Sequence, residues 1–265
     1  MEKKYGRWQS EVVEMAIRSR RVIVLAGARQ CGKTTLAKDL NLPQAIYRTL
    51  DDVTLLESAL NDPHGFVRHG DELMIIDEIQ KASILLQAIK KDVDENQGLG
   101  RFLLPGSANI QSLPGVNESL AGRVRKIRLR PLAQGEINET LPNFLQWAFM
   151  QKFPSTYAND NKDTYIVLAL KGGYPEPLHI NQPREIRQWY IDYIGSLIER
   201  DLKDIINIKR QDGMKELLSV LAAWSSKSMD VSAIASGLSL TRQTITTYIN
   251  ALETLYLIEK LPAWP

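Results

Sequence analysis

The 265-residue sequence contains one cysteine, Cys31, and no long apolar run. A lone thiol excludes an intramolecular disulfide framework and is typical of a protein in a reducing compartment. No apolar stretch approaches the roughly 20 residues that a membrane-spanning helix requires. The charged segment 1–21 has no apolar core of the kind found in secretory signals. These absences together predict a cytoplasmic protein.

An excess of charge of either sign is also absent. Lys and Arg number 33 and Asp and Glu number 31, which gives a formal net charge of +2 at pH 7. The bulk charge therefore neither favours nor opposes binding to nucleic acid. Hydrophobic residues make up 44% and charged residues 24% of the chain, as in globular proteins. The length suffices for one large domain or two ordinary ones.

Residues 27–34 match a phosphate-binding pattern. They read Gly-Ala-Arg-Gln-Cys-Gly-Lys-Thr, which fits G-x-x-x-x-G-K-[ST]. The apolar, β-branched segment 21–26 before them predicts a strand that is buried on both faces. Segment 34–40 after them predicts a helix, with Leu36 and Leu40 on one face. Strand, loop and helix in this order predict a P-loop.

The residue types in this loop suit a triphosphate. Glycines allow main-chain N–H groups to turn toward an anion, and the start of the helix adds partial positive charge. Lys33 supplies a cation to the β- and γ-phosphates, and the Thr34 hydroxyl is an oxygen ligand for Mg²⁺. Cys31 is predicted to fill space in the loop, the alternative being an oxidation-prone thiol beside Lys33. The predicted ATP-binding residues are Gly27, Ala28, Arg29, Gln30, Cys31, Gly32, Lys33, Thr34 and Thr35.

A second motif is the apolar run 73–76, which ends in two carboxylates, Asp77 and Glu78. A buried strand that ends in acids places them at the carboxyl edge of an open α/β sheet, where ligands bind. Asp77 is predicted to hold Mg²⁺ together with Thr34, directly or through water. Glu78 is predicted to act as the general base on an attacking water. A phosphotransfer kinase has no need of such a glutamate, so the pair favours a nucleotide hydrolase. The alternative without a function is a strand that ends in solvated charge.

Segment 101–107 predicts another strand. In P-loop ATPases that carry the extra glutamate, a strand lies between the P-loop strand and the acid strand. Ser107 or Asn109 at its tip would sense the γ-phosphate, the alternative being an ordinary turn. Because Pro105 removes a hydrogen-bond donor, we expect the strand either to end at Leu104 or to be distorted at its tip.

Arg123 follows a glycine near the start of the predicted strand 124–130. From there an arginine can complete a neighbouring subunit's nucleotide site in trans, the alternative being a surface arginine beside a basic strand. The predicted strand 45–50 is closed by Asp51 and Asp52. For Asp51, the first of these acids, a contact with the metal-bound water or the P-loop is one option, and an acidic cap on the next helix is the favoured one.

Segment 214–257 has a helix-turn-helix pattern, in which a short helix and a glycine-containing turn precede a longer helix. Arg242 and Gln243 near the start of the longer helix could read base edges. That helix carries one basic residue, which favours a structural winged-helix unit over DNA binding. Segment 257–264 is predicted to begin a wing hairpin whose return strand is missing.

The chain resembles prokaryotic AAA-superfamily ATPases in which an AAA domain precedes a winged-helix segment and a C-terminal domain of unknown function. The resemblance covers about residues 20 to 205, more loosely to 262. It implies an AAA-type ATPase with roles for Lys33, Thr34, Asp77, Glu78 and Arg123. The segments that carry it are RVIVLAGARQCGKTTL, YRTLDD, LMIIDEIQKA, LLPGSAN, ESLAGRV, LRPLAQGE, GGYPEP and ERDLKDI.

The sequence departs from this family in two places. Members usually carry threonine at the position of Pro105. They also continue beyond LPAWP into the C-terminal domain, so we expect a shortened gene, an expressed fragment or a stand-alone ATPase.

The sequence as a whole predicts an α/β fold, a P-loop (AAA-type) parallel sheet flanked by helices and followed by an all-α region. The expected parts are an ATPase domain at 1–135, a helical lid or linker at 136–212 and a winged-helix-like domain with an incomplete wing at 213–265. The expected function is Mg²⁺-dependent ATP binding and hydrolysis, with catalytic residues Glu78, Arg123 and Ser107. The alternatives are an ATP-gated DNA-binding regulator and a nucleotide-holding, partner-binding module without turnover. We also expect a homo-oligomer through Arg123 and no membrane association.

Overall fold

The computed structural model describes residues 4–40, 42, 44–106, 122–141, 143–153, 161–205, 211–238 and 240–262. The chain divides into two compact units, residues 1–187 and 188–265. The sequence predicts three parts with boundaries at 135/136 and 212/213, which differ from the boundary between these two units. That three-part division stays a prediction.

A five-stranded parallel sheet forms the centre of the first unit, with strand order β2-β3-β4-β1-β5. The strands are β1 Val22–Gly27, β2 Ile46–Thr49, β3 Met74–Asp77, β4 Phe102–Gly106 and β5 Val124–Leu129. All residues of β1, β3 and β4 are buried, as expected for apolar strands between flanking helices. The predicted strand between the P-loop strand and the acid strand is confirmed, since β4 pairs with both β1 and β3.

Helices alternate with these strands along the chain. α2 begins at Lys33, directly after the P-loop, and α5 buries Leu85, Leu86, Ile89 and Val93, whose spacing forms one apolar stripe along the helix. The helices that begin in the first unit are α1 Gln9–Ile17, α2 Lys33–Asp39, α3 Val53–Asn61, α4 Pro63–Val67, α5 Leu85–Glu95, α6 Gln134–Ile137, α7 Phe144–Met150, α8 Lys162–Lys171 and α9 Pro183–Ser196, with 3₁₀ turns at Ile79–Ala82 and Glu176–His179.

Pro105 lies inside β4, in register with Leu25 of β1. The N–H of Phe102 donates toward the β1 side, to the Arg21 carbonyl. Because alternate residues of a strand face the same neighbour, Pro105 faces β3. Pairing between β3 and β4 ends at Ile75 and Leu103, so the missing proline N–H removes no ladder hydrogen bond. The expectation that the strand ends at Leu104 was therefore wrong; the β1 register continues to Gly106, while pairing with β3 stops before the proline.

The described part of the second unit is helical. A π-helical turn at Leu197–Asp201 precedes α10 Leu202–Ile205, α11 Gln211–Ala223, α12 Val231–Gly237 and α13 Arg242–Thr254. The side chains of Asp230 and Thr241 accept hydrogen bonds from main-chain N–H groups at the starts of α12 and α13, respectively. Short polar side chains are favoured at such capping positions. The short α12 and the longer α13 match the predicted order of two helices.

The expected wing is not found in the described residues. Segment 255–262 contains no strand. Its Lys260 instead returns to α13, where the ammonium donates to Asn250 Oδ1 at 2.8 Å and lies 3.0 Å from Glu253 Oε2. None of the helices in the described ranges has the length and apolar character that crossing a bilayer requires.

Candidate nucleotide-binding site

The loop between β1 and α2 takes a sharply turned conformation. Gln30 and Gly32 have left-handed φ values of 58° and 96°, and turns of this kind direct main-chain N–H groups into anion-binding concavities. Gly27 is required for a different reason, since a Cβ atom there would lie 2.2 Å from the Leu129 carbonyl oxygen of β5. The first glycine of the motif thus permits a close approach of two strands, and the second permits the turn.

Lys33 folds back onto its own loop. Its Nζ donates to the carbonyl oxygens of Gly27 at 3.2 Å and Ala28 at 2.7 Å, and the residue is only 8% exposed. An ammonium has three donors, and two of them hold main-chain carbonyls here. The side chain therefore orders the loop and places a positive charge beside its N–H groups.

Thr34 and Asp77 meet across the gap between α2 and β3. Thr34 Oγ1 donates to Asp77 Oδ2 at 2.6 Å, and the Glu78 N–H donates to Asp77 Oδ1 at 3.0 Å. A hydroxyl that donates its proton keeps its lone pairs, and hydroxyl and carboxylate oxygens are the ligands that Mg²⁺ prefers. Asp77 is 3% exposed and forms no ion pair within the described ranges, so its buried charge fits a bound cation.

Glu78 follows β3 in a left-handed conformation, with φ 57° and ψ 38°. This conformation costs a residue with a Cβ atom roughly 1 kcal/mol, and such outliers cluster at functional sites. The Gln80 side-chain amide donates to Glu78 Oε2. The predicted general base is thereby held at the carboxyl edge of the sheet, next to Asp77.

Tyr47 of β2 is a residue of this site to which the sequence analysis assigned no role. Its hydroxyl donates to Asp77 Oδ2 at 2.9 Å, and Lys38 Nζ lies 4.3 Å from its ring centroid. Burial, and after it the bond to Asp77, raises the pKa of Tyr47 above its ordinary value. The phenol therefore stays a donor.

A buried ion pair fixes the other side of the loop. Arg7 Nε lies 3.2 Å from Glu136 Oε1, and the two side chains are 7% and 3% exposed. Arg7 also donates to the carbonyl of Cys31, at 3.0 Å, and to that of Arg130. Burial lowers the pKa of Arg7, against the influence of Glu136, yet a guanidinium stays charged. We call Arg7 and Glu136 the amino-terminal brace.

Cys31 faces the protein interior. The thiol is fully buried, with Sγ 3.5 Å from the Leu129 carbonyl oxygen. Burial raises its pKa above the ordinary value, although Lys33 and Arg7 oppose the shift. Because oxidation requires an accessible thiolate, the structure favours the loop-filling role over the oxidation-prone one.

Arg123 lies at the opposite, amino edge of the sheet. Its carbonyl accepts the Val22 N–H at the start of β1, so the six-residue strand separates it from its own P-loop by roughly 20 Å. Arg123 Nε lies 2.5 Å from Asp94 Oδ1, and the side chains are 33% and 37% exposed. Arg123 could complete a nucleotide site only in trans, and that role stays a prediction.

The remaining predicted residues divide into two groups. Ser107 and Asn109 lie outside the described residues. α3 has an acidic cap, but Asp52 forms it in place of Asp51: Asp52 accepts the N–H groups of Thr54 and Leu55 at 2.8 and 3.2 Å. Asp51 forms an ion pair of 2.6 Å with Lys81.

Comparison with known proteins agrees with this geometry. The family model of the AAA domain matches residues 19–138, and that of a domain of unknown function (DUF8612) matches residues 162–265. Uncharacterized proteins of Mycobacterium bovis and Mycobacterium tuberculosis are each 25% identical over 245 residues, which is 92% of this chain and 50% of each relative. The chain thus spans about half the length of the curated relatives that it matches.

A solved structure extends the comparison to the fold. The Walker-type ATPase PABY2304 of Pyrococcus abyssi superposes with a TM-score of 0.56 and 14% identity, over 93% of this chain and 88% of that one. At this identity the likeness shows the fold alone. The family match over residues 19–138 and the order of the five strands therefore identify this part of the chain as an AAA domain with a P-loop fold.

Proposed function

We propose that this chain binds Mg²⁺–ATP and hydrolyses its β–γ bond with an activated water. The observation that carries the proposal is the 2.6 Å hydrogen bond from Thr34 Oγ1 to Asp77 Oδ2, beside a P-loop whose lysine is already folded into place. A Gly-rich turn without nucleotide chemistry has no need of a buried carboxylate such as Asp77, which has no cationic partner in the described part of the chain.

Each group has a defined task in this reaction. Main-chain N–H groups of residues 27–34 and the Lys33 ammonium bind the phosphates, and Thr34 and Asp77 would hold the metal. Bound Mg²⁺ supplies positive charge against the negative charge that develops on the phosphate oxygens. Glu78 accepts a proton from the water as its oxygen bonds to the γ-phosphorus, and ADP leaves with the bridging oxygen.

The test of this proposal is a pair of variants assayed for binding and turnover. Glu78→Gln should keep ATP binding and lose hydrolysis by about 10²- to 10⁴-fold, the usual contribution of a general base. Lys33→Ala should lose ATP binding in calorimetry. Glu57→Gln on the exposed face of α3 is the matched control and should behave as the parent protein. Hydrolysis by Glu78→Gln at the parental rate would show that the base is another group.

We also propose that Arg123 acts on the nucleotide of a second copy of this chain. The support is its place at the edge of the sheet opposite its own P-loop, on a partly exposed ion pair. An arginine that reaches a neighbour's γ-phosphate stabilises the charge of the transition state.

The helix-turn-helix order of α12 and α13 keeps DNA binding as an alternative, but the contacts of α13 oppose it. Thr246 and Thr247 donate their hydroxyls to main-chain carbonyls one turn earlier, each at 3.0 Å, and Asn250 accepts from Lys260. These contacts engage groups that base reading would use, and Arg242 is the helix's only basic residue. ATP hydrolysis measured with and without duplex DNA separates the alternatives. A DNA-binding protein that contacts the phosphate backbone should also show an affinity for duplex that falls steeply as the salt concentration rises. Nucleotide that co-purifies without turnover would instead favour the partner-binding module.

A further inference from the structure

Three elements of the first unit meet in a closed set of contacts around Asp77. Thr34 of α2 and Tyr47 of β2 both donate to Asp77 Oδ2 of β3, at 2.6 and 2.9 Å. Lys38 of α2 closes the set, with its ammonium 4.3 Å from the centre of the Tyr47 ring. The P-loop helix and β2 are thus joined both directly and through one carboxylate oxygen.

The sheet register explains how Tyr47 reaches this oxygen. Tyr47 pairs with Ile75 and Thr49 pairs with Asp77 in the parallel β2–β3 ladder. Because side chains two residues apart share a face, Tyr47 and Asp77 lie on the same face of the sheet. The tyrosine ring spans the diagonal between them, a distance that suits a long aromatic side chain.

The spacing on α2 explains the other side of the set. Thr34 and Lys38 are four residues apart and therefore lie on one face of the helix, one turn from each other. The same face thus contacts the carboxylate through Thr34 and the tyrosine ring through Lys38. The arrangement requires an aromatic hydroxyl at position 47, since a shorter side chain would reach neither Lys38 nor Asp77.

We propose that Tyr47 is a positioning residue for Asp77 and thereby sets the affinity of the site for Mg²⁺; this inference rests on the proposed function. Asp77 Oδ2 accepts from two hydroxyls and Oδ1 accepts from the Glu78 N–H. Donors on both oxygens fix the rotation of the carboxyl group. All three donors are neutral groups, so none of them competes with a divalent cation as a source of positive charge. Tyr47 itself need not contact nucleotide or metal.

The experiment is a Mg²⁺ titration of nucleotide binding to Tyr47→Phe, followed with a fluorescent ATP analogue. The substitution keeps the ring and its contact with Lys38 and removes only the hydroxyl. We expect the apparent Mg²⁺ affinity to fall about tenfold, the size of effect expected for one hydrogen bond to a charged acceptor. Nucleotide affinity in EDTA should equal that of the parent protein, and saturating Mg²⁺ should restore kcat to within about twofold, because a positioning defect is overcome by mass action.

Each outcome decides the proposal. Tyr165→Phe, on a side chain that is 63% exposed, is the matched control and should leave all values unchanged. Equal Mg²⁺ affinities for Tyr47→Phe and the parent protein would overturn the role of Tyr47 while leaving ATP hydrolysis intact. An equal loss of affinity with Mg²⁺ and in EDTA would assign Tyr47 a merely structural role and also overturn it. A parent protein that binds no nucleotide with or without Mg²⁺ would overturn the proposed function itself.

Discussion

Carboxylates lie near both ends of the parallel sheet, but their partners differ. At the carboxyl end, Asp77 accepts hydrogen bonds from two hydroxyls and one main-chain N–H. At the amino end, Asp92 binds Arg101 through two contacts, of 2.7 and 3.1 Å, and Asp94 pairs with Arg123. The same chemical group is thus paired with an arginine at one end and, among the described residues, with neutral donors alone at the other.

The difference separates a structural acid from one that is available to a ligand. An arginine cancels the charge of a carboxylate and fixes its geometry through a planar, two-pronged contact. Hydroxyl and amide donors fix the geometry as well, but the negative charge remains. An acid that is positioned without being neutralised is suited to a cation that arrives with a substrate.

The largest effect is expected for Asp77→Asn. A unit charge about 4 Å from a cation is worth about 4 kcal/mol at an effective dielectric constant near 20, which corresponds to roughly a thousandfold loss of Mg²⁺-dependent ATP affinity. Thermal stability of the nucleotide-free protein should hold or rise, because the variant removes a buried carboxylate that forms no ion pair with the residues that the structure describes. Calorimetric titration and thermal unfolding of the same sample check both parts. A variant that loses stability but keeps its Mg²⁺-dependent affinity would show that Asp77 is a structural acid, like those at the amino end of the sheet.

Arg101→Met should show the reverse pattern at the amino end. The Arg101 and Asp92 side chains are 6% and 11% exposed, and breaking a buried ion pair costs about 3 kcal/mol because the remaining charge is uncompensated. The midpoint of thermal unfolding should fall by about 10 °C, with no change in ATP affinity once the protein is folded.

The double variant Arg101→Met, Asp92→Leu is the control for this prediction. It removes both charges and should recover most of the lost stability. A double variant as unstable as the single one would mean that packing of the arginine, rather than its charge, stabilises this end of the sheet.

The smallest effect on stability is expected for Arg123→Ala. Its ion pair with Asp94 is about one-third exposed on each side, and such pairs contribute about 1 kcal/mol or less. The free energy of unfolding measured by urea denaturation should therefore barely change. A mixture of the Arg123→Ala and Glu78→Gln variants tests the role in trans. In a mixed oligomer, an Arg123→Ala subunit keeps Glu78 and receives Arg123 from a Glu78→Gln neighbour. The mixture should hydrolyse ATP faster than either variant alone; equal rates would remove the role in trans and leave a surface arginine.

Features that follow from local sequence could be predicted. The glycines, Lys33 and Thr34 are consecutive along the chain, and an apolar run before Asp77 is sufficient to place that acid at the end of a strand. The insertion of β4 between β1 and β3 followed from the general order of such sheets rather than from any residue. The structure brings Thr34 and Asp77 together, as predicted, while their roles as metal ligands stay a prediction.

Features that depend on register or on distant contacts could not be predicted. Tyr47 reaches Asp77 because β2 pairs with β3 in one register, and the ammonium of Lys38 on α2 lies over its ring. Pro105 is tolerated because it faces β3 beyond the point where β3 and β4 pair. That orientation follows from the hydrogen bond of Phe102 toward β1 and is not evident from the sequence. Arg7 and Glu136 are brought together from opposite ends of the sheet-containing region, and no short pattern indicates such a pairing.

The amino-terminal brace connects the P-loop to Trp8. Arg7 binds the Cys31 carbonyl inside the P-loop, and Glu136 accepts the main-chain N–H of Trp8, whose indole donates to the Thr140 carbonyl at 3.0 Å. A displacement of the loop would therefore act on Glu136 and on the indole beside it. Because the chain contains five tryptophans, emission from a variant that keeps Trp8 as its only tryptophan would test whether this chain of contacts reports on the loop.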